Sequence, residues 1–263
     1  MTEDYNNIPD GVGDIIVNML GWRMNKENDK GVRLDDRLHA AASFVHGGSV
    51  ADIGTDHALL PISLLLSGKC SSAIASDINE GPLMRAKLNA AKYGLNDRMV
   101  FCLADGLEKL PLEERGVSDI VICGMGGELI ATIISASDYP KKSGVRLVLQ
   151  PMTHSADLRR YLAESGFRTV DESLSEDDGR IYECIAAEYD GEMREISPAE
   201  AELGKVNIAR GTENPLFEAH LVSSYTVLVR RIEGMKKGGL AVDFEANLAM
   251  EYKKIAERCG IRL

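Results

Sequence analysis

Three aspartates, Asp52, Asp77 and Asp105, each stand at the end of a short apolar run rich in β-forming residues. The first run reads Ser49-Val-Ala-Asp52-Ile-Gly54-Thr-Asp56-His57, a strand closing on an acid and a glycine before a turn into a helix. Gly54 permits a ligand to approach the backbone, and the open ends of strands are where α/β sheets bind. A carboxylate at Asp52 suits a ligand with a cationic amino-acid end. A dinucleotide pyrophosphate would require a G-x-G-x-x-G turn, which this segment lacks. Asp77, in Ser76-Asp77-Ile78-Asn79, follows Asp52 by 25 residues. An acid so placed can accept from both ribose hydroxyls of an adenosine, with Ile78 beside it in the same cofactor site. Asn79 serves equally well as the cap of the next helix. Asp105, in Ala104-Asp105-Gly106, adds a carboxylate able to accept from an adenine amino group. Any one of the three reads equally as a solvated loop residue. Together, at successive strand ends, they read as one ligand site, and S-adenosylmethionine (SAM) fits it better than a nicotinamide dinucleotide.

A fourth run, Ile120 to Cys123, leads into Gly124-Met125-Gly126-Gly127-Glu128. Three glycines strip away side chains where a reacting methyl would lie, so a flat base can come close; a tight strand-to-helix turn is the compatible structural reading. The Asn/Asp-Pro-Pro-aromatic tetrapeptide of many exocyclic-amine methyltransferases is missing, and a ring nitrogen with its own lone pair needs less help. Gln150, before Pro151, either contacts a substrate base or closes a turn. Arg37, Asp56 and His57 are candidates for shaping the substrate pocket, because the helix before the first strand and the loop after it should border the methyl. His57 reads equally as a packed histidine, and His39 and His154 have weaker claims. Asp178-Gly179-Arg180 reads as a β-turn. No metal site is expected.

These residues need a scaffold that delivers them to one edge. From residue 49 to about 190, apolar β-rich runs at 49–54, 72–78, 99–104, 119–123, 146–150, 167–174 and 181–188 alternate with helical candidates at 58–67, 81–93, 127–136 and 155–165. That alternation predicts a mainly parallel sheet covered by helices. The last two runs leave no room for a helix between them and should form an antiparallel hairpin. Seven strands with such an end is the class I methyltransferase variant of the Rossmann-like α/β fold. Residues 34–45 read as an amphipathic helix, and 13–24 as a further possible one. Residues 189–211 read as a polar connector, and 215–237 with 240–258 as a helical hairpin broken at Gly238 and Gly239. The expected division is an extension over 1–30, a SAM-binding domain over 31–195 and a helical hairpin over 196–263.

An apolar fraction of 44% with 27% charged residues excludes disordered and membrane classes. The longest apolar stretch, residues 58–66, is far short of the roughly 20 that a membrane span needs. The first ten residues are acidic without a basic segment, which argues against a secretory signal and for the cytoplasm. Five isolated cysteines fit reduced thiols. A net charge of −11 weighs against generic nucleic-acid binding. The charge is uneven, however: residues 200–263 hold 10 of the 30 basic side chains and only 9 of the 41 acidic ones. Arg230, Arg231, Lys236 and Lys237 cluster there, as an interaction surface or a solvated helix face.

The ordered set L-x-x-R-L (Leu34 to Leu38), A-S-F-V (Ala42 to Val45), A-D-I-G-T-D-H-A-x-L-P (Ala51 to Pro61), N-E-G-P (Asn79 to Pro82), A-D-G-L (Ala104 to Leu107), G-M-G-G (Gly124 to Gly127) and Q-P (Gln150, Pro151) resembles the bacterial tRNA adenine-22 N1-methyltransferases. The resemblance covers about residues 33–190. It implies SAM bound by the first three strand ends, methyl transfer to adenine N1 in the tRNA D-arm, and a C-terminal coiled-coil hairpin that helps hold tRNA. Two rival expectations are a SAM-dependent methyltransferase of a small molecule or protein, which suits the acidic charge, and a nucleoside-binding module without catalysis.

Overall fold

Asp35 begins the first helix of the computed structural model, which describes residues 32–263. Its Oδ1 accepts the Leu38 N–H at 2.7 Å and so caps α1 (Asp36–Phe44). The expected helix at 13–24 and the extension over 1–30 lie outside the described residues.

Seven strands follow: β1 (Gly48–Ile53), β2 (Cys70–Asp77), β3 (Met99–Leu103), β4 (Val117–Gly126), β5 (Arg146–Thr153), β6 (Phe167–Asp177) and β7 (Arg180–Tyr189). They form one sheet in the order β3-β2-β1-β4-β5-β7-β6. β1 to β5 are parallel, while β7 runs antiparallel to both β5 and β6. Four helices complete this layer: α2 (Leu59–Leu66), α3 (Glu80–Lys92), α4 (Gly127–Ser135) and α5 (Ser155–Glu164). β1 is buried at every position but its first, as expected of a central parallel strand covered on both faces. The chain steps to opposite sides of β1 when it forms β2 and β4, and this reversal opens a crevice at their C-terminal ends.

β6 and β7 join through Asp178 (φ 48°) and Gly179 (φ 72°), with Asp177 paired to Arg180. Two successive positive φ values make the primed two-residue turn that matches strand twist, which is why an Asp-Gly pair stands there. β4 and β5 each run three residues beyond their expected ends. The glycine-rich segment stays in the ladder through Met125 opposite Pro151 and Gly126 opposite Thr153, with two register irregularities.

The connector after β7 is not the plain polar loop that its composition suggests. It contains α6 (Pro198–Leu203) and α7 (Lys205–Arg210). The reason is a capping box: Glu200 N donates to Ser197 Oγ at 3.1 Å, Ser197 N donates to Glu200 Oε2 at 2.8 Å, and Pro198 fills the first helical turn. α8 (Phe217–Lys237) and α9 (Asp243–Cys259) then form the hairpin through residues 238–242. Leu203, Phe217, Leu221, Leu248 and Tyr252 build a second apolar core there, joined by Leu174 of β6. Residues 34–263 make one unit, and among the described residues no helix is long and apolar enough to cross a membrane.

Ser197→Ala removes one arm of the capping box. Urea unfolding should show a loss of about 1 kcal/mol; an unchanged midpoint would mean that packing alone fixes α6.

Candidate functional site

A cavity of about 380 Å³ opens at the C-terminal ends of β1 and β4. Three segments line it: Asp35, Arg37 and Leu38 of the first helix and its cap; Asp52 with residues 54–60 after β1; and Cys123 with Gly124 of β4. The topology thus gathers Arg37, Asp52, Gly54, Asp56, His57 and Gly124 around one space.

The loop after β1 is held in an unusual shape. His57 (φ 35°) and Ala58 (φ 53°) are both left-handed without being glycine, a conformation that costs on the order of 1 kcal/mol or more per residue and persists only where neighbours impose it. Here Gly54 N and Thr55 N both donate to Ser76 O at 2.9 and 2.8 Å, and Asn89 Nδ2 donates to His57 O at 2.9 Å. Gly54 itself has φ 73°, and the Met125 methyl occupies the place where a Cβ would stand. Exposed Asp56 accepts from Arg85 Nη2 at 2.8 Å and lies 3.4 Å from His57 Nε2, so its carboxylate ties the loop to α3.

Arg37 is fixed at both ends of its guanidinium. Nη1 donates to Gln150 Oε1 at 2.7 Å and Nη2 to Asp35 Oδ2 at 3.0 Å. The same Gln150 Oε1 accepts from Gly124 N at 3.1 Å, and its Nε2 donates to Pro151 O at 3.0 Å. Gln150 is fully buried, so its amide is spent on holding Arg37 and the end of β4. Gly124 takes φ 78°, a left-handed backbone that favours glycine, and a Cβ there would only touch Arg37 Nη1 at 3.6 Å.

Asp52 is 8% exposed, and among the described residues no basic group forms an ion pair with it. Burial pushes its carboxyl up to about 6, and the negative charge of Asp77 adds to this. The Thr55 hydroxyl is near enough to pull it back in part, though without a hydrogen bond of regular geometry. Among the described residues, the buried hydroxyls of Thr55 and Ser76 find no hydrogen-bond partner. A buried carboxylate short of positive charge and a guanidinium face one cavity, which is a donor set that fits the ammonium and carboxylate of an amino-acid end such as that of SAM.

The other expected cofactor residues lie along the same edge but outside the cavity lining. Half-buried Asp77 ends β2 and accepts from Asn79 N at 2.7 Å. Ile78 is 61% exposed. Asp105 is exposed after β3, tied to the edge by Ala104 N donating to Asp77 O at 3.0 Å, and Gly106 takes φ 58° against Ile133. Met125 and Gly126 belong to the extension of β4. His154 caps α5 with φ 57°, and its carbonyl lies where a Cβ on Gly127 would be. Glu128, His154 and Asp157 form an exposed cluster beside it, with Asp157 already paired to Arg160 at 2.8 Å. Asp35, Thr55, Ser76 and Cys123 were not singled out from sequence; only Asp35, a cap residue before an amphipathic helix, carried a usable signal.

The fold is that of a methyltransferase: residues 34–185 match the family described as a methyltransferase domain. The Bacillus subtilis tRNA (adenine(22)-N(1))-methyltransferase is 40% identical over 169 residues, which cover 61% of this chain and 70% of that relative. A candidate tRNA methyltransferase from Streptococcus pneumoniae, solved in complex with S-adenosyl-L-methionine, is 32% identical with a TM-score of 0.72, covering 85% of this chain and 99% of that one. The crystal structure of the Bacillus subtilis tRNA methyltransferase gives 30%, 0.70, 87% and 97% in the same measures. The chain belongs to the tRNA (adenine(22)-N(1))-methyltransferase family.

The raised Asp52 value sets a stability test. Below about 3.8 the carboxyl is protonated in both the folded and unfolded chain and costs nothing; between 3.8 and about 6 the unfolded chain gives up its proton first, and above that the full penalty applies. The gap amounts to at most about 3 kcal/mol. Asp52→Asn should therefore raise the melting temperature of the free protein at pH 7.5 and leave it nearly unchanged at pH 4. A variant less stable than wild type at pH 7.5 would show that Asp52 is well solvated or paired.

Proposed function

We propose that this chain transfers the methyl group of SAM to N1 of adenine 22 in tRNA. The observation that carries the reading is the meeting of Asp52 and Arg37 in one cavity beside the glycines of β4, in a chain of this family. When bound, SAM supplies an electrophilic methyl on a sulfonium whose departure leaves a neutral thioether.

In this reading Asp52 takes the ammonium of the cofactor's amino-acid end and Arg37 its carboxylate, with Asp35 and Gln150 holding the guanidinium in place. Asp77 takes the ribose hydroxyls, Ile78 offers an apolar face to the purine, and Asp105 with Gly106 receives the adenine amino edge. Gly54 keeps the loop backbone close to the ligand, and Asp56 and His57 hold the loop's shape. Gly124, Met125 and Gly126 leave room for the target base. Adenine N1 is neutral and already nucleophilic, so the residues need to orient it and exclude water rather than remove a proton; catalysis is mainly positioning. N1 lies on the pairing edge, so the base must be unpaired or extruded.

The division of the chain follows: residues 31–195 bind the cofactor, and the helical hairpin within 196–263 holds tRNA in the cytoplasm. Arg230, Lys236 and Lys237 of α8 are exposed and suit phosphate contact. Arg231 is committed to the buried Glu245 at 3.1 Å and serves the hairpin itself. The net charge of −11 favours the rival reading of a small-molecule or protein substrate.

Incubation with methyl-labelled SAM separates these readings. Label should enter a tRNA transcript with adenine at position 22 and not one with guanine there; a chain that labels neither refutes the proposal. Asp77→Ala should weaken binding of S-adenosylhomocysteine (SAH) by on the order of 2 kcal/mol in calorimetry, and unchanged affinity would remove Asp77 from the site.

A further inference from the structure

Where the sheet meets the C-terminal helices, away from the cavity, one guanidinium is buried between two carboxylates. Arg159 of α5 is 3% exposed. Its Nε donates to Glu172 Oε1 of β6 at 2.6 Å, its Nη2 to Glu183 Oε1 of β7 at 2.9 Å, and its Nη1 to the Ala201 carbonyl of α6 at 3.0 Å. The second oxygen of Glu172 accepts from Val206 N of α7 at 2.7 Å. Arg210 of α7 donates to Glu172 O at 2.6 Å and to Asp171 Oδ1 at 2.7 Å. His220 of α8 brings Nε2 to 3.4 Å from Glu183 Oε1, short of hydrogen-bond geometry. Burial alone would push the Glu183 carboxyl up; Arg159, with His220, outweighs that and holds it well below the usual carboxylate range. At Gly204 (φ 84°), between α6 and α7, a Cβ would overlap the Glu172 carboxylate, so the chain is pressed against the ion network.

The network joins two apolar cores, one under the sheet and one within the C-terminal helices. Apolar contacts are non-directional and tolerate sliding. Charged hydrogen bonds to acceptors on three different elements do not. A buried ion pair adds little net stability over an apolar replacement, so its value here is geometric. The geometry matters because α8 is long: its 21 residues span about 31 Å, and a tilt of about 10° at the joint moves its far end by about 5 Å. That displacement exceeds the reach of a hydrogen bond.

We propose that Arg159 is a positioning residue for tRNA, setting the angle of the helical hairpin against the cavity through Glu172, Glu183 and Ala201 so that a tRNA held by the hairpin presents its target base. This rests on the reading of the hairpin as the tRNA-holding element. The network has no part in gripping the cofactor, so its loss should move tRNA recognition and leave SAH binding alone.

The test is a triple variant, Arg159→Met with Glu172→Gln and Glu183→Gln, which removes the guanidinium and both of its carboxylate partners together. Calorimetry should give SAH affinity within about twofold of wild type, while the KM for tRNA rises about tenfold. A second set removes the hairpin charges by Arg230→Ala, Lys236→Ala and Lys237→Ala. In that background the triple change should add nothing further to KM, because the effect travels through the hairpin. Should the triple variant not fold, the isosteric Glu183→Gln alone reads the same split between KM and SAH affinity. A wild-type chain inert toward tRNA would refute the proposed function and this inference with it. An active wild type whose variant keeps its tRNA KM, or loses SAH affinity in step with it, would overturn this inference alone.

Discussion

The Asp52 carboxylate is buried at the end of β1 and, among the described residues, has no cation paired to it, and much of the site is arranged around that cost. Taking a charge out of water is unfavourable unless something compensates it. Among the described residues no lysine or arginine forms an ion pair with Asp52, and the Arg37 guanidinium of the cavity is held by Asp35 and Gln150. Free energy withheld in this way becomes available to a ligand that brings its own positive charge. An internal ion pair at Asp52 would have removed that cost from the free protein. If Asp52 takes the cofactor's ammonium as proposed, cofactor affinity and the stability of the free chain are opposed at this position.

Rigidity around Asp52 comes from the backbone more than from packing. Ser76 O, accepting from two successive amides of the loop, and Asn89, donating to the His57 carbonyl, hold two left-handed residues that the loop would not adopt alone. On the other wall, Gln150 binds Arg37 and the Gly124 amide with the same oxygen. One buried amide thus fixes a side chain from before β1 and the backbone at the end of β4, so the two walls of the cavity cannot shift independently. Gly127, where the His154 carbonyl excludes a Cβ, locks the next turn against β5.

Much of this was legible in the sequence, and the rest was not for identifiable reasons. The ends of β1, β2 and β3 could be read because an apolar run closing on Asp or Asp-Gly is a local pattern, and the sheet itself supplies the long-range order. The Asp178-Gly179 hairpin was legible because a primed turn needs those residue types. The link from Arg37 to Gln150 spans 113 positions and leaves no local trace; Gln150 therefore read as either a base contact or a turn residue. The α6 helix was hidden for a different reason. Its polar composition suggested a connector, and the decisive Ser197-Pro198-Ala199-Glu200 box is visible only when caps are weighed above hydropathy. Arg159, one residue within an amphipathic helix, gave no hint that its partners lie on β6, β7 and α6.

The remaining tension is between a chain of net charge −11 and a polyanionic substrate. It eases once the acidic groups are sorted by what they already do. Asp52 is buried at the cavity edge, Glu172 and Glu183 share the buried Arg159, Asp119 is buried against the backbone amides of His46 and Gly47, and Glu188 pairs with Arg146. These charges count in the total but are shielded from a partner's phosphates by burial or by a closer cation. What an approaching RNA meets is local, because beyond about 10 Å surface charges are screened at physiological salt. At the far end of α8, about 31 Å along the helix from its start at Phe217, Lys236 and Lys237 are exposed beside a short glycine turn. In the proposed reading, the hairpin offers these lysines to the tRNA, and its angle at the buried Arg159 joint is the quantity that couples tRNA to the cavity.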